Sequence, residues 1–257
     1  ALDYLIKVKG YSFLEAVETI IGHTAIQAPV YEKPQLKEEN KPLLLPEKCA
    51  SNRVITEYLF GRGIDFEIIN YCISNDLIFE SLPYHNVVFV GYDEKKEPKY
   101  AAYRSTNKRR IMGDCSGSKK DYSFRLGKEN LEEVHLFECA IDLLSYATLA
   151  KLNGQDWKEM SFVSLSGVYS PAKKIEDSKV PIALEKYLGS NPSVRKIRIH
   201  FDNDIAGRKA AQTLKIILPD KYEIVDEPPK AGKDFNDFLC MQMGIYNKKT
   251  HERNEER

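Results

Sequence analysis

No apolar run in this sequence approaches the roughly 20 residues that a membrane-spanning helix needs, and no signal peptide stands at its start. A membrane partner is therefore not expected. Net charge is missing too. The 38 Lys and Arg balance 38 Asp and Glu, so only the distribution of charge can point to a nucleic-acid partner. The five cysteines (Cys49, Cys72, Cys115, Cys139, Cys240) are scattered and odd in number, without a C-x-x-C pair. That usage fits reduced thiols in a cytoplasmic protein and argues against a zinc site within the chain. There is no internal repeat. The chain opens at Ala1 rather than Met and reads as a fragment of a longer product. Its 257 residues suffice for one large domain or two small ones with real cores.

What is present is organised around Lys196-Ile-Arg-Ile-His-Phe-Asp202-Asn-Asp204-Ile-Ala-Gly207-Arg208. Ile197, Ile199 and Phe201 alternate with Arg198 and His200, the period of a strand. Ile205 to Leu218 then reads as a helix. Two carboxylates thus sit where a strand ends and a helix begins, the edge where open α/β sheets bind ligands. On extended backbone Asp202 and Asp204 leave the same side. Like charges so close repel unless a cation lies between them, and Mg²⁺ prefers such oxygen ligands. One of the pair could equally cap the helix.

Taken in order, Ala1 to Gly22 reads as two short helices, with Ser12 and Glu15 at capping-box spacing. His23 to Lys48, rich in Pro, Lys and Glu, reads as a linker. Asn52 to Ser74 is helical, broken at Gly61-Arg62-Gly63. Asn86 to Asp93 is a β run, with Lys99 to Arg104 and Lys108 to Met112 as antiparallel neighbours and Tyr122 to Leu126 as a further strand. Between Glu94 and Lys128, eleven Lys and Arg face four Asp and Glu, interleaved with Tyr100, Tyr103, Tyr122 and Phe124. Basic strands carrying aromatics suit phosphates and stacked bases, although a solvated sheet face gives the same pattern. From Glu133 strands and helices alternate, the mark of a parallel sheet. The expected strands are 134–138, 161–165, 196–201 and 222–225, and the expected helices are 140–152, 182–188, 205–218 and 234–243. Asn247 to Arg257 reads as a charged, frayed tail.

Glu138 ends its strand just before a helix. In a parallel sheet it therefore shares an edge with Asp202 and Asp204. The cluster Gly232-Lys-Asp234-Phe-Asn236-Asp237 follows the last strand and could reach the same edge. Acids converging in this way suit one or two Mg²⁺ ions acting on phosphate esters.

These motifs together resemble the TOPRIM domain shared by bacterial primases, type IA and II topoisomerases and OLD-family nucleases. The likeness is greatest to the primases. Glu138-Cys-Ala-Ile-Asp142 stands where they have E-G-x-x-D, with Cys139 in place of Gly, and Ser164-Leu-Ser-Gly167 resembles their second-strand turn. Asp202-Asn-Asp204-Ile-Ala-Gly207-Arg208-Lys-Ala-Ala resembles D-x-D-x-A-G-R-x-A-A. The loop from Gly232 to Asp237 resembles G-x-D-P-D-[DE], with Phe235 for Pro and Asn236 for an acid. Tyr58-Leu-Phe-Gly-Arg62-Gly63-Ile64 is similar to the Y-L-x-x-R-G-[IL] turn before the primase core. Asn86-Val-Val-Phe-Val-Gly and Gly117-Ser-Lys-Lys-x-x-Ser-Phe124 are similar to DUF3991/TOPRIM proteins of plasmids and conjugative elements.

The resemblance implies an α/β TOPRIM domain (131–245) preceded by a small α+β basic subdomain (49–130). Residues 1–24 would be the helical remnant of a zinc-module tail, 25–48 a linker and 246–257 a charged tail. It implies a primase-like nucleotidyltransferase acting on single-stranded DNA with nucleoside triphosphates, and with a helicase or relaxase as a further partner. Asp202, Asp204 and Asp234 would hold Mg²⁺ or Mn²⁺, and Glu138 would be a ligand or the general base. Arg104, Lys108, Arg109, Arg110, Lys119 and Lys120 would hold template phosphates, and Arg208 could join them. Two rivals stand beside this reading: a nuclease using the same acids, and a DNA-binding accessory whose acids anchor a structural ion.

Overall fold

A computed structural model describes residues 2–11, 13–21, 41–107, 109, 111–167, 169–172 and 174–245. Ser12, most of the expected linker, Lys108, Arg110 and the C-terminal tail lie outside these residues. Helices α1 (Leu2–Lys7) and α2 (Phe13–Ile21) belong to one compact unit, and the chain from Lys41 onward to another. None of the described helices is long and apolar enough to cross a membrane.

The second unit begins with helices α3 (Arg53–Phe60) and α4 (Phe66–Ser74). A four-stranded antiparallel sheet follows, in the order β1 (Ile78–Glu80), β2 (Val87–Tyr92), β3 (Pro98–Arg104), β4 (Met112–Asp114). Strand β1 is not foreseen above because three residues are too short a run to show a period. Of the expected strand Lys108 to Met112, Arg109 and Ile111 are not in a strand and Met112 begins β4. Pairing resumes at Arg104 opposite Met112, and Ser105 and Ile111 close the turn through Ser105 N–H to the Ile111 carbonyl (2.8 Å). Arg109, the described member of the basic run, thus falls in an exposed turn rather than beside a partner strand.

Nor is Tyr122 to Leu126 one strand. Lys120–Tyr122 is a 3₁₀ turn, and β5 (Arg125–Gly127) starts later and pairs with the second sheet. Gly91 explains the turn. A Cβ there would fall 1.7 Å from the Tyr122 carbonyl oxygen, so the β2 backbone packs directly on this segment.

The second sheet contains β6 (Glu133–Phe137), β7 (Ser161–Ser164), β8 (Lys196–His200) and β9 (Glu223–Asp226), in the order β5-β7-β6-β8-β9. All are parallel to their neighbours except β5. Helices α5 (Ala140–Leu152), α6 (Ile182–Ser190), α7 (Ile205–Ile217) and α8 (Phe235–Gln242) complete the unit. Two cores enclose the sheet. On one side Val134, Leu136, Ile197 and Ile199 pack with Leu184 of α6 and with Ala210 and Leu214 of α7. On the other, Phe137 and Phe162 pack with Leu143 of α5 and Leu239 of α8. That core continues without interruption into Leu59 of α3, Ile69 of α4 and Phe89 of β2. Burying both faces is what a parallel sheet requires. Each fully buried Ile, Leu or Phe is worth about 2–3 kcal/mol on transfer from water. The shared core therefore fixes the antiparallel region against the parallel sheet.

Candidate metal centre at the carboxyl edge of the sheet

Register brings the acids together. Phe137 pairs with His200 across β6 and β8, and with Ser164 across β7, so Glu138 and Asp202 emerge at the same edge. Beneath them lies one aromatic cluster. Phe137, His200 and Phe235 meet Tyr146 at centroid distances of 5.4, 4.3 and 5.3 Å. Phe137 precedes Glu138, His200 lies two residues before Asp202, and Phe235 follows Asp234. Each acid is thus anchored by a ring in the same cluster. Phe235, standing where the primase motif has Pro, is one of these anchors.

Backbone contacts tighten the arrangement. Glu138 is buried, and its Oε1 accepts the Asp202 N–H at 3.2 Å. Gly167, in the left-handed region, donates its N–H to the Glu138 carbonyl at 3.0 Å. A Cβ on Gly207 would fall 2.2 Å from the Asp202 carbonyl oxygen and 2.9 Å from Glu138 Oε1, so only glycine lets α7 start this close. Asp204 caps α7 by accepting the Gly207 N–H at 2.9 Å, and Asp234 caps α8 by accepting the Asp237 N–H at 2.7 Å. Both acids therefore cap, yet each stays on the edge.

A cation of the chain already sits between the two aspartates. Lys233 Nζ lies 3.4 Å from Asp202 Oδ2 and 3.3 Å from Asp204 Oδ2. Sequence reasoning passed over this residue, although it stands inside the Gly232 to Asp237 stretch. Burial works against its ammonium, but its hydrogen bond to Asp204 and the charge of Asp202 leave its pKa raised.

Burial, then the charge of Asp202, pushes Glu138 from an ordinary 4.5 to about 7. Burial, then Asp234, raises Asp202. Asp204 is held low by the Gly207 N–H and Lys233, against the smaller pull of its partial burial. Asp142 and Asp237 are both raised by burial and by Asp234. A group of acids that raise one another's pKa is one whose charge a bound cation would relieve.

Among the described residues, these acids do not bring three ligand atoms within 4.8 Å of one another; the group that does so is Cys49, Glu80 and His85. The edge fits Mg²⁺ nonetheless. That ion keeps most of its water and takes one or two protein carboxylates together with substrate phosphates. The Lys233 ammonium shows that a positive charge is accommodated between Asp202 and Asp204.

Other motif residues are structural ties. Asp142 accepts from Cys139 Sγ at 2.8 Å and from the Asn236 N–H at 3.2 Å. Asn236 is buried, and its Nδ2 donates to the Arg62 carbonyl (2.9 Å) and to Ser145 Oγ (3.0 Å), so it joins α8 to α5 and to the turn after α3. Arg208 is part-buried. Its guanidinium donates to the Asp202 and Phe201 carbonyls and pairs with Asp226 at 2.8 Å, locking the end of β8.

On the basic side, Arg104 Nε and Arg62 Nη1 share the Tyr58 hydroxyl at 3.1 and 3.4 Å. Both arginines flank the edge electrostatically: burial raises Asp237 and Cys139, and the charges of Arg62 and Arg104 respectively oppose that rise in small part. The excess of positive charge counted in the sequence is partly spent. Lys99 pairs with Asp93 and Glu97, Lys120 with Asp114, Arg125 with Glu129 and Lys128 with Glu159. Asp93, Glu129 and Glu159 lie outside the counted window. Arg109 is exposed, and Lys119 leads into the 3₁₀ turn.

Residues 57–130 match the family described as a protein of unknown function (DUF3991), and residues 135–239 match the family described as Toprim-like. Three solved structures are similar. The primase fragment of the bacteriophage T7 primase-helicase protein is 20% identical, with 72% of this chain and 68% of that one covered and a TM-score of 0.47. The E. coli primase catalytic core is 12% identical over 79% and 72%, also at 0.47. The zinc-binding and RNA polymerase domains of the Aquifex aeolicus primase are 15% identical over 95% and 68%, at 0.46. No curated protein matches the sequence. The chain thus carries a DUF3991 region followed by a Toprim-like domain.

Proposed function

We propose that this chain is a primase-like nucleotidyltransferase, dependent on Mg²⁺ or Mn²⁺, that acts on single-stranded DNA in the replication or transfer of a mobile element. The observation that carries this reading is the convergence of Glu138, Asp202, Asp204 and Asp234 on one sheet edge, flanked by Arg62 and Arg104 from the DUF3991 region. Asp202, Asp204 and Asp234 would hold the metal, which supplies charge neutralisation at the nucleotide phosphates. Glu138, with a pKa near 7, is tuned to accept a proton from an attacking hydroxyl at neutral pH. That hydroxyl oxygen forms the new bond to the α-phosphorus as pyrophosphate leaves. A metal held by this pair would take the place of the Lys233 ammonium, which would then be available to a phosphate. Arg104, Arg109, Lys119 and Lys120, together with Lys108 and Arg110, supply the template-binding charge. A helicase or a relaxase would bring the chain to its template.

Lys233 also favours a second reading, a non-catalytic DNA-binding accessory. An internal ammonium already neutralises the pair that metal would otherwise occupy. One experiment separates these readings. Incubated with single-stranded DNA, labelled ribonucleotides and Mg²⁺ or Mn²⁺, the chain is expected to yield short labelled oligonucleotides, and Asp202→Asn to abolish them. Shortened DNA without incorporation would overturn synthesis in favour of cleavage. Neither product, from a folded protein that still binds DNA, would establish the accessory role.

A further inference from the structure

Away from the acidic edge, at the N-terminal end of α3, a second set of ligands is assembled. Cys49, Glu80 and His85 each offer an atom (Sγ, a carboxylate oxygen and a ring nitrogen) within 4.8 Å of the other two. All three are held by backbone or side-chain bonds that leave the inner atoms in place. The Cys49 N–H donates to the Glu80 carbonyl at 2.7 Å, and the Leu82 N–H donates to the Glu47 carbonyl at 2.8 Å, so segment 47–49 lies along the end of β1. Glu80 is 2% exposed, and its Oε2 is fixed by the N–H groups of Val54 (2.9 Å) and Ile55 (3.3 Å). That leaves Oε1 aimed at the cluster. His85 is held in the left-handed region at φ 52° by its own N–H to the Ser81 carbonyl (2.8 Å) and by Thr106 Oγ1 on its carbonyl (3.0 Å). Its Nδ1 meets Glu80 Oε1 at 2.6 Å, and its side chain is half-exposed. The site is therefore reached from solvent and has a buried, oriented carboxylate at its floor.

We propose that Cys49, Glu80 and His85 form a zinc site, with solvent as the fourth ligand, that clips segment 47–49 to the β1–β2 turn. A thiolate with an imidazole and one carboxylate selects a borderline-soft ion such as Zn²⁺ rather than Mg²⁺. Three protein ligands leave the fourth tetrahedral position to water. On binding, the Cys49 thiol proton passes to solvent, and His85 carries its remaining proton on Nε2 so that Nδ1 can ligate. The carboxylate pinned by two backbone N–H groups is the kind of outer support that orients a metal ligand. The metal would act on structure rather than chemistry, because α3 separates it from the end that carries Tyr58 and Arg62. No C-x-x-C spacing announces it, since the three residues meet only when β1 forms and turns back.

The test uses the untagged full chain freed of metal by a chelator and titrated with Co²⁺. A thiolate-to-cobalt charge-transfer band should grow to saturation at a single equivalent and vanish on addition of Zn²⁺. It should be absent in Cys49→Ser and retained in Asp202→Asn/Asp204→Asn, which distinguishes this site from the acidic edge. His85→Asn, which tolerates the same backbone conformation, should weaken Co²⁺ binding by about tenfold or more. Circular dichroism establishes that each variant is folded. No band in the wild type, an unchanged band in folded Cys49→Ser, or unchanged affinity in His85→Asn would overturn the proposal.

Discussion

Glu138→Gln tests whether the acidic edge stores electrostatic tension in the folded chain. Glutamine keeps the oxygen that accepts the Asp202 N–H and removes only the ionisation. In the folded protein Glu138 holds its proton to about pH 7, whereas unfolded it releases it near 4.5. Between those values the native state binds more protons, so stability present at low pH is lost as pH rises through 7. At about 1.4 kcal/mol per pH unit, the full loss amounts to about 3 kcal/mol. Burial holds His135 at about 4 against an ordinary 6.5, and that works in the opposite direction, adding stability as pH rises across that interval. Because His135 is common to both proteins, the difference between them isolates Glu138. Urea unfolding from pH 5 to pH 8 should show Glu138→Gln gaining on the wild type by up to about 3 kcal/mol at the upper end. Parallel pH profiles would refute the account of Glu138.

Gly207→Ala drives a methyl into the Asp202 carbonyl and Glu138 Oε1. It should cost about 3 kcal/mol in urea unfolding, while Gly189→Ala, which meets open space, should be neutral or stabilising; equal midpoints for the two variants would show that the start of α7 is not confined. Asn236→Asp restores the acid of the primase pattern, but it removes the donor to the Arg62 carbonyl and Ser145 and leaves a buried charge beside Asp142. It should destabilise by about 3 kcal/mol or more, and a loss within about 0.5 kcal/mol would mean that this position is not the structural tie described.

The parallel sheet and its acids were legible because each signal is local. Alternation over Ile197 to Phe201 marks a strand, and an acid at its end marks the ligand edge. The helix Ala140–Leu152 is legible from end to end because most of its residues are apolar, with Asp142, Ser145, Thr148 and Lys151 as the polar exceptions. What was not legible depends on contacts distant in sequence. Arg208 looks like a free helix arginine until the carbonyls of Phe201 and Asp202 are seen to face it. Asn236 looks like a weakened ligand until its amide is found bridging α5 and the turn at Arg62. The basic excess between Glu94 and Lys128 shrinks once acids from outside that window pair with it. Lys233 was readable in principle, since it stands inside the last acidic loop, directly before Asp234.

The central claim is that the carboxyl edge of the sheet is a divalent-cation site. The most direct measurement is Mn²⁺ binding, followed by the loss of free-ion signal in electron paramagnetic resonance, in the wild type and in Asp202→Asn/Asp204→Asn. Asparagine caps a helix as well as aspartate does, so the double variant keeps the start of α7 while losing both charges. The account predicts saturable Mn²⁺ binding to the wild type and an affinity lower by about tenfold or more in the variant, with far-ultraviolet circular dichroism unchanged. Equal binding isotherms for two equally folded proteins would contradict it.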